Sequence, residues 1–205
     1  MAVKGTIYVR KDLGIGFIPI PKNGSSTIRS FFFNWDPMKS GGYFNFIESP
    51  EILYGLRIIA VISDPTIRFA RGITEILNRE ESINIIQTKE FAECNTSECK
   101  VKCLLDQIED IGFYGPHIKP QFDFISDSSG KVIDNLDFWL LKDLTKKIKE
   151  IDPKYSGKKE WSRGEAKNSY LDSINRSPEI MGQIRKLYSK DFELFETVNV
   201  NNTTP

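Results

Sequence analysis

Apolar residues in this chain come in short runs cut by polar turns, and their spacing shifts between that of strands and that of helices. Residues 5–20 alternate loosely around Gly14 and Gly16, which predicts a hairpin or strand pair. Its second half, Gly16-Phe-Ile-Pro-Ile20, has the short β-prone composition of a buried strand. Pro21 ends that run, the polar turn Lys22-Asn-Gly-Ser-Ser-Thr27 follows, and residues 28–35 read as a helix. Phe31, Phe32, Phe33 and Trp35 place an aromatic face of that helix toward a core. The same order recurs downstream. Residues 57–62 form a continuous apolar run of the kind found in a strand covered on both faces. Ser63-Asp-Pro65 breaks it, and residues 66–79 carry helical spacing at Ile67, Ala70, Ile73 and Leu77. Strands alternating with helices predict an α/β fold: a central, mainly parallel sheet flanked by helices with right-handed crossovers.

Residues 80–115 read as mostly helical, with 99–111 the clearest amphipathic segment. Residues 116–121 form a loop, 126–130 a turn, 132–141 a further strand and 142–151 a short helix. Residues 152–167 hold Pro153, Gly157, Gly164 and five basic residues but little apolar content, as a surface loop would. Ser177-Pro-Glu starts the last helix, with a capping residue and a proline at its first position, and the helix continues to Phe195. The expectation is one domain over 1–197, followed by a disordered tail over 198–205.

Charge narrows the partners. Lysine plus arginine and aspartate plus glutamate both number 28, so the net charge is zero. A general nucleic-acid or membrane-surface binder carries a basic excess, and neither partner is expected here. No apolar run reaches the roughly 18–20 residues that cross a bilayer, and the first residues lack the pattern of a secretory signal. A soluble cytoplasmic protein is the expectation. Cys94, Cys99 and Cys103 read as packing thiols, with a Cys94–Cys99 disulfide open in an oxidising setting. Their spacing is no standard zinc knuckle, and no metal is expected.

An anion site must therefore be built locally, and Pro21-Lys-Asn-Gly-Ser-Ser-Thr27 has the composition for one. Gly24 lets the backbone turn sharply, and the amides before a helix, at the positive end of its dipole, cradle an anion. Lys22 adds a charge, and Ser25, Ser26 and Thr27 add hydroxyl donors. An ordinary serine-rich helix cap has the same composition. The loop is not a Walker A motif, in which lysine follows the second glycine, because here lysine precedes it.

That order resembles the 5′-phosphosulfate loop of sulfotransferases, Pro-Lys-x-Gly-[Ser/Thr]-[Ser/Thr]. Ser63-Asp-Pro-Thr-Ile-Arg-Phe-Ala-Arg71 is similar to the Arg-Asp-Pro-x-x-Arg-x-x-Ser segment of carbohydrate-type members. Asp64, Pro65 and Arg68 match, whereas Ser63 and Arg71 exchange the serine and arginine of the pattern. His117-Ile-Lys-Pro-Gln121 resembles the family's His-x-x-Pro-Gln stretch, and residues 184–195 resemble its closing helix.

The resemblance implies a P-loop-like strand–loop–helix and an enzyme using 3′-phosphoadenosine 5′-phosphosulfate (PAPS) as co-substrate. It implies sulfuryl transfer, without a metal, to a hydroxyl of a small-molecule or glycan acceptor. Pro21, Lys22, Asn23, Gly24, Ser25, Ser26 and Thr27 would hold the donor's 5′ end, with Lys22 steadying the leaving phosphate. Ser63, Arg68 and Arg71 would serve the 3′-phosphate. The alternative for Arg71 is a solvated helix charge beside a degraded site. His117 and Glu48 are candidate general bases, with structural and solvent-exposed roles as their alternatives. Arg163, with Lys158, Lys159 and Lys167, would form a lid or else a solvated loop. Two other readings stay open: a phosphoryl-transfer nucleotide kinase with a variant loop and Asp64 near its metal, or a non-catalytic binder of PAPS or 3′-phosphoadenosine 5′-phosphate (PAP).

Overall fold

The computed structural model describes residues 5–33, 43–45, 50–77, 89–111, 115–127, 129–155 and 169–201. Its strands are β1 (Thr6–Arg10), β2 (Ile15–Ile18), β3 (Tyr43–Asn45), β4 (Arg57–Ile62) and β5 (Leu136–Leu140). The helices are α1 (Ser25–Phe33), α2 (Pro65–Leu77), α3 (Lys89–Glu93), α4 (Ser97–Ile111), α5 (Gly115–Ile118), α6 (Phe122–Ile125), α7 (Leu144–Ile151), α8 (Ser169–Arg176), α9 (Pro178–Leu187) and α10 (Ser189–Asn201). These residues form two compact units. The first takes described residues from 1–63, 120–162 and 194–205, the second from 64–119 and 163–193.

The first unit is built on a five-stranded sheet of order β3-β1-β2-β4-β5. β2, β4 and β5 pair in parallel, while β1 pairs antiparallel with both β2 and β3. The sheet is therefore mixed, with β1 alone running against the other four. Strand periodicity divides the apolar side chains between its two faces. Ile58, Ala60 and Ile62 of β4 join Ile7, Val9, Ile18 and Leu140 in one core, closed by Phe124, Ile125 and Val198. Ile59 and Val61 join Phe17 and Trp139 in the other, closed by Ile28 and Phe31 of α1 and Leu144 and Ile148 of α7. Both faces are buried, which is why β4 reads as a continuous apolar run.

Helices make up the described part of the second unit. Phe69, Ala70, Ile73 and Ile76 of α2 pack with Val101, Leu104, Leu105 and Ile108 of α4 and with Ile174, Ile180, Ile184 and Tyr188. The buried stripe of α2 runs through Phe69, and the expected core residue Ile67 is exposed. Cys94 and Cys99 form a disulfide between the end of α3 and the first turn of α4. Of the two readings left open for these thiols, this is the cross-linked one; Cys103 is free and half-buried.

Other boundaries also moved. The expected strand 132–141 is shortened to β5, because Asn135 turns the chain at φ +60°. Val132 instead makes an isolated bridge to Ser126. The expected last helix breaks at Tyr188 into α9 and α10, and the Ser177 side chain makes no cap hydrogen bond. Residues 198–201 of the predicted disordered tail are instead helical, since α10 continues to Asn201 and Val198 is buried in the sheet core; 202–205 lie outside the described residues. No helix among the described residues is long and apolar enough to cross a membrane.

Candidate functional site: the loop after β2

β2 delivers the chain to a tight reversal. The Asn23 amide donates to the Ile20 carbonyl at 3.2 Å, closing a four-residue turn with Pro21 and Lys22 at its centre. Proline presets the backbone for the first central position. Lys22 then takes φ +69°, the value a type II turn requires at its second central position. Glycine or asparagine normally sits there, and a lysine is held left-handed at a cost of about 1–3 kcal/mol. Gly24 takes φ +77° two residues later. Asn23 and Ser25 are not in the positive region, so φ alternates in sign from Lys22 to Ser25. Such alternation turns successive N–H groups toward one side, the arrangement called a nest, which favours anions.

α1 begins at once. Its first regular bond from outside the helix runs from the Ile28 N–H to the Gly24 carbonyl at 3.0 Å. Among the described residues, the N–H groups of Gly24, Ser25, Ser26 and Thr27 donate to no backbone carbonyl. These are the orphan donors of a helix start. Lys22 and residues 24–27 are half-buried, so the turn is not sealed under side chains. Its back is fixed. A Cβ on Gly24 would overlap Leu144 and lie 3.0 Å from Leu141 Cδ1, so glycine is needed for both its φ and its packing.

Asn23 and Pro21 lie on the buried side of the turn. The Asn23 side chain is fully buried, and its Nδ2 donates to the Val61 carbonyl at 2.7 Å and to Gln121 Oε1 at 2.8 Å. Ser63 Oγ donates to Asn23 Oδ1 at 2.6 Å. The Ser63 N–H donates to Gln121 Oε1 at 3.3 Å, and Gln121 Nε2 returns a bond to the Ser63 carbonyl at 3.0 Å. Three neutral side chains thus close a buried network between the loop, the end of β4 and the segment before α6. Gln121 belonged to the His-x-x-Pro-Gln resemblance without a role of its own. A neutral amide directly before the alternating stretch Phe122-Asp-Phe-Ile125 is the available signal.

Other candidates lie in the second unit. Asp64 accepts the Ile67 N–H on Oδ1 at 3.0 Å, and Pro65 occupies the first helical position of α2. The Asp-Pro pair is therefore a helix start in its own right. Arg68 is 1% exposed, whereas Arg71 is exposed and its side chain makes no ion pair or hydrogen bond among the described residues. His117 is half-buried in α5, and its carbonyl lies against Gly72 of α2. Tyr188, absent from the sequence-based site, donates its hydroxyl to the Ile118 carbonyl. Burial pushes that phenol far above its ordinary range, the nearby Arg68 guanidinium opposes the shift, and the Asp191 carboxylate adds to it.

The structure thus brings Asn23 and Ser63 together with Gln121, and places Arg68, Arg71 and His117 in the second unit. Glu48, Arg163, Lys158, Lys159, Lys167 and Trp35 lie outside the described residues. Comparison with models of known protein families, with curated proteins and with solved structures gave no match.

Proposed function

We propose that this chain is a sulfotransferase that moves a sulfuryl group from PAPS to a hydroxyl of a carbohydrate-like acceptor. One observation carries the reading: φ reverses sign through Lys22 and Gly24, and among the described residues the next N–H groups have no backbone acceptor at the start of α1. Such a turn suits a diphosphate-like end bearing three or more anionic oxygens. Strain held at Lys22 also fits, since a left-handed lysine persists where the surrounding structure over-determines it.

In the proposed reaction the acceptor oxygen attacks sulfur in line with the bridging oxygen to the 5′-phosphate. The sulfur–oxygen bond breaks, its electron pair stays on the phosphate, and PAP leaves. Negative charge grows on the bridging oxygen, where the Lys22 ammonium and the amides of residues 24–27 stabilise it. A general base takes the acceptor proton.

A second reading, a PAP-binding protein without turnover, has its own support. Ser63 stands where the family pattern has arginine, and its hydroxyl donates to Asn23 instead. The phosphoryl-transfer reading is weaker, because the carboxylate it needs, Asp64, caps α2.

Calorimetry separates these readings. The proposal expects saturable binding of PAP and no comparable heat from ATP with magnesium. Preference for magnesium-ATP would overturn it. Binding of PAPS without sulfate release to any hydroxylated acceptor in a broad panel would select the second reading.

A further inference from the structure

We infer that Ser63 and Asn23 are positioning residues: their buried network with Gln121 holds the anion loop in its strained, donor-presenting form. The inference rests on the nucleotide reading of that loop and gives Ser63 a role different from 3′-phosphate ligation.

The strain requires such a device. A lysine at φ +69°, followed by a residue with ordinary φ and then a glycine at φ +77°, is not what an isolated chain prefers. Something in the fold must hold Asn23 while its neighbours reverse. Its side chain makes three hydrogen bonds, all in the buried interior, to partners on two distant parts of the chain. Both Nδ2 hydrogens are used, and Oδ1 receives the Ser63 hydroxyl. The orientation of the amide is thereby fixed. Turned over, it would set its oxygen against the Val61 carbonyl, leaving two acceptors facing each other.

Position matters as much as number. β2 pairs with β4 only as far as Ile18 opposite Ala60, and the next residue, Pro19, has no N–H to extend the ladder. Asn23 reaches the Val61 carbonyl just beyond that last pair. The loop is thus stitched to β4 where strand pairing has stopped. Gln121 holds the far side by bonding both the N–H and the carbonyl of Ser63. Buried networks of this kind rigidify when every member is satisfied. A rigid cradle spends less of its binding energy on ordering itself.

The network is also neutral. An acid at position 23 would have nearly the same shape but would meet the Val61 carbonyl and Gln121 Oε1 with oxygen, and would bury a negative charge beside a site for anions.

The test uses the full chain and PAP as the probe, with affinity from calorimetry and stability from urea denaturation measured separately. Ser63→Ala removes one hydrogen bond, and we expect PAP affinity to fall about tenfold in protein that remains folded. Ser63→Thr keeps the hydroxyl and should restore most of the affinity, while Asn23→Asp should lose more than Ser63→Ala. A purely structural role would lower the urea midpoint and leave the affinity of folded protein unchanged. That result, or equal weakening by Ser63→Thr and Ser63→Ala, would overturn the inference while leaving the nucleotide reading in place. Should Asn23→Asp fail to fold, the two Ser63 variants decide alone. Wild-type protein that binds no PAP would instead remove the nucleotide reading, and this inference with it.

Discussion

Two strand-to-helix junctions share the order strand, turn, helix and end in opposite hydrogen-bonding states. After β4, Asp64 accepts the Ile67 N–H, Pro65 has no N–H to satisfy, and the Arg68 N–H bonds the Asp64 carbonyl at 2.9 Å. That helix start is largely closed by its own residues. After β2, the N–H groups of residues 24–27 find no backbone acceptor among the described residues, and the chain pays with a left-handed lysine. Fold stability alone explains the first arrangement. It does not explain the second, because a serine-rich turn has easier ways to cap a helix. On the proposed function, the difference fits a loop after β2 that is shaped for a ligand.

Lys22 gives the widest separation between the two kinds of junction. On this account Lys22→Ala lowers the sulfation rate with PAPS by about two to three orders of magnitude, the usual cost of losing a transition-state donor. Lys22→Gly should lose as much rate and yet unfold with a free energy about 1 kcal/mol higher, since glycine accepts the left-handed region freely. Activity and stability would then move in opposite directions. A Lys22→Gly protein that is less stable than wild type would break the claim that position 22 is strained.

Gly24→Ala comes next in size. It combines an unfavourable φ with overlap against Leu144, and should cost about 1–3 kcal/mol in urea denaturation together with nucleotide affinity. Asp64→Ala should have the smallest functional effect. Removing that cap should cost about 0.5–2 kcal/mol of stability, with PAP affinity held near wild type. Loss of affinity without loss of stability at Asp64 would show that the second junction is not merely structural.

How much of this was legible in the sequence follows from which forces act locally. β4 could be read at its true limits, because burial on both faces leaves no polar position from Ile58 to Ile62. Pro21, Gly24 and the serines announced the loop, since turn chemistry resides in single residues. Left-handed Lys22 could not be foreseen. Its conformation is imposed by Asn23, whose partners Ser63 and Gln121 are 40 and 98 residues away. The break at Tyr188 has the same origin. No proline or glycine lies there, and a buried hydroxyl bonding Ile118, 70 residues earlier, fixes that point in the second-unit core. The helical tail was more accessible, as Leu194, Phe195 and Val198 have the i, i+1, i+4 spacing of a buried face.

The central claim is that the N–H groups of residues 24–27 are the donors that meet an anionic ligand. The most direct measurement is the change in their amide chemical shifts as PAP is added to uniformly labelled protein. The account predicts large, saturable downfield shifts at Gly24, Ser25 and Ser26, with the amide of Ile67 in the capped junction unmoved. Saturable binding that leaves the residues 24–27 amides in place and shifts others would contradict it.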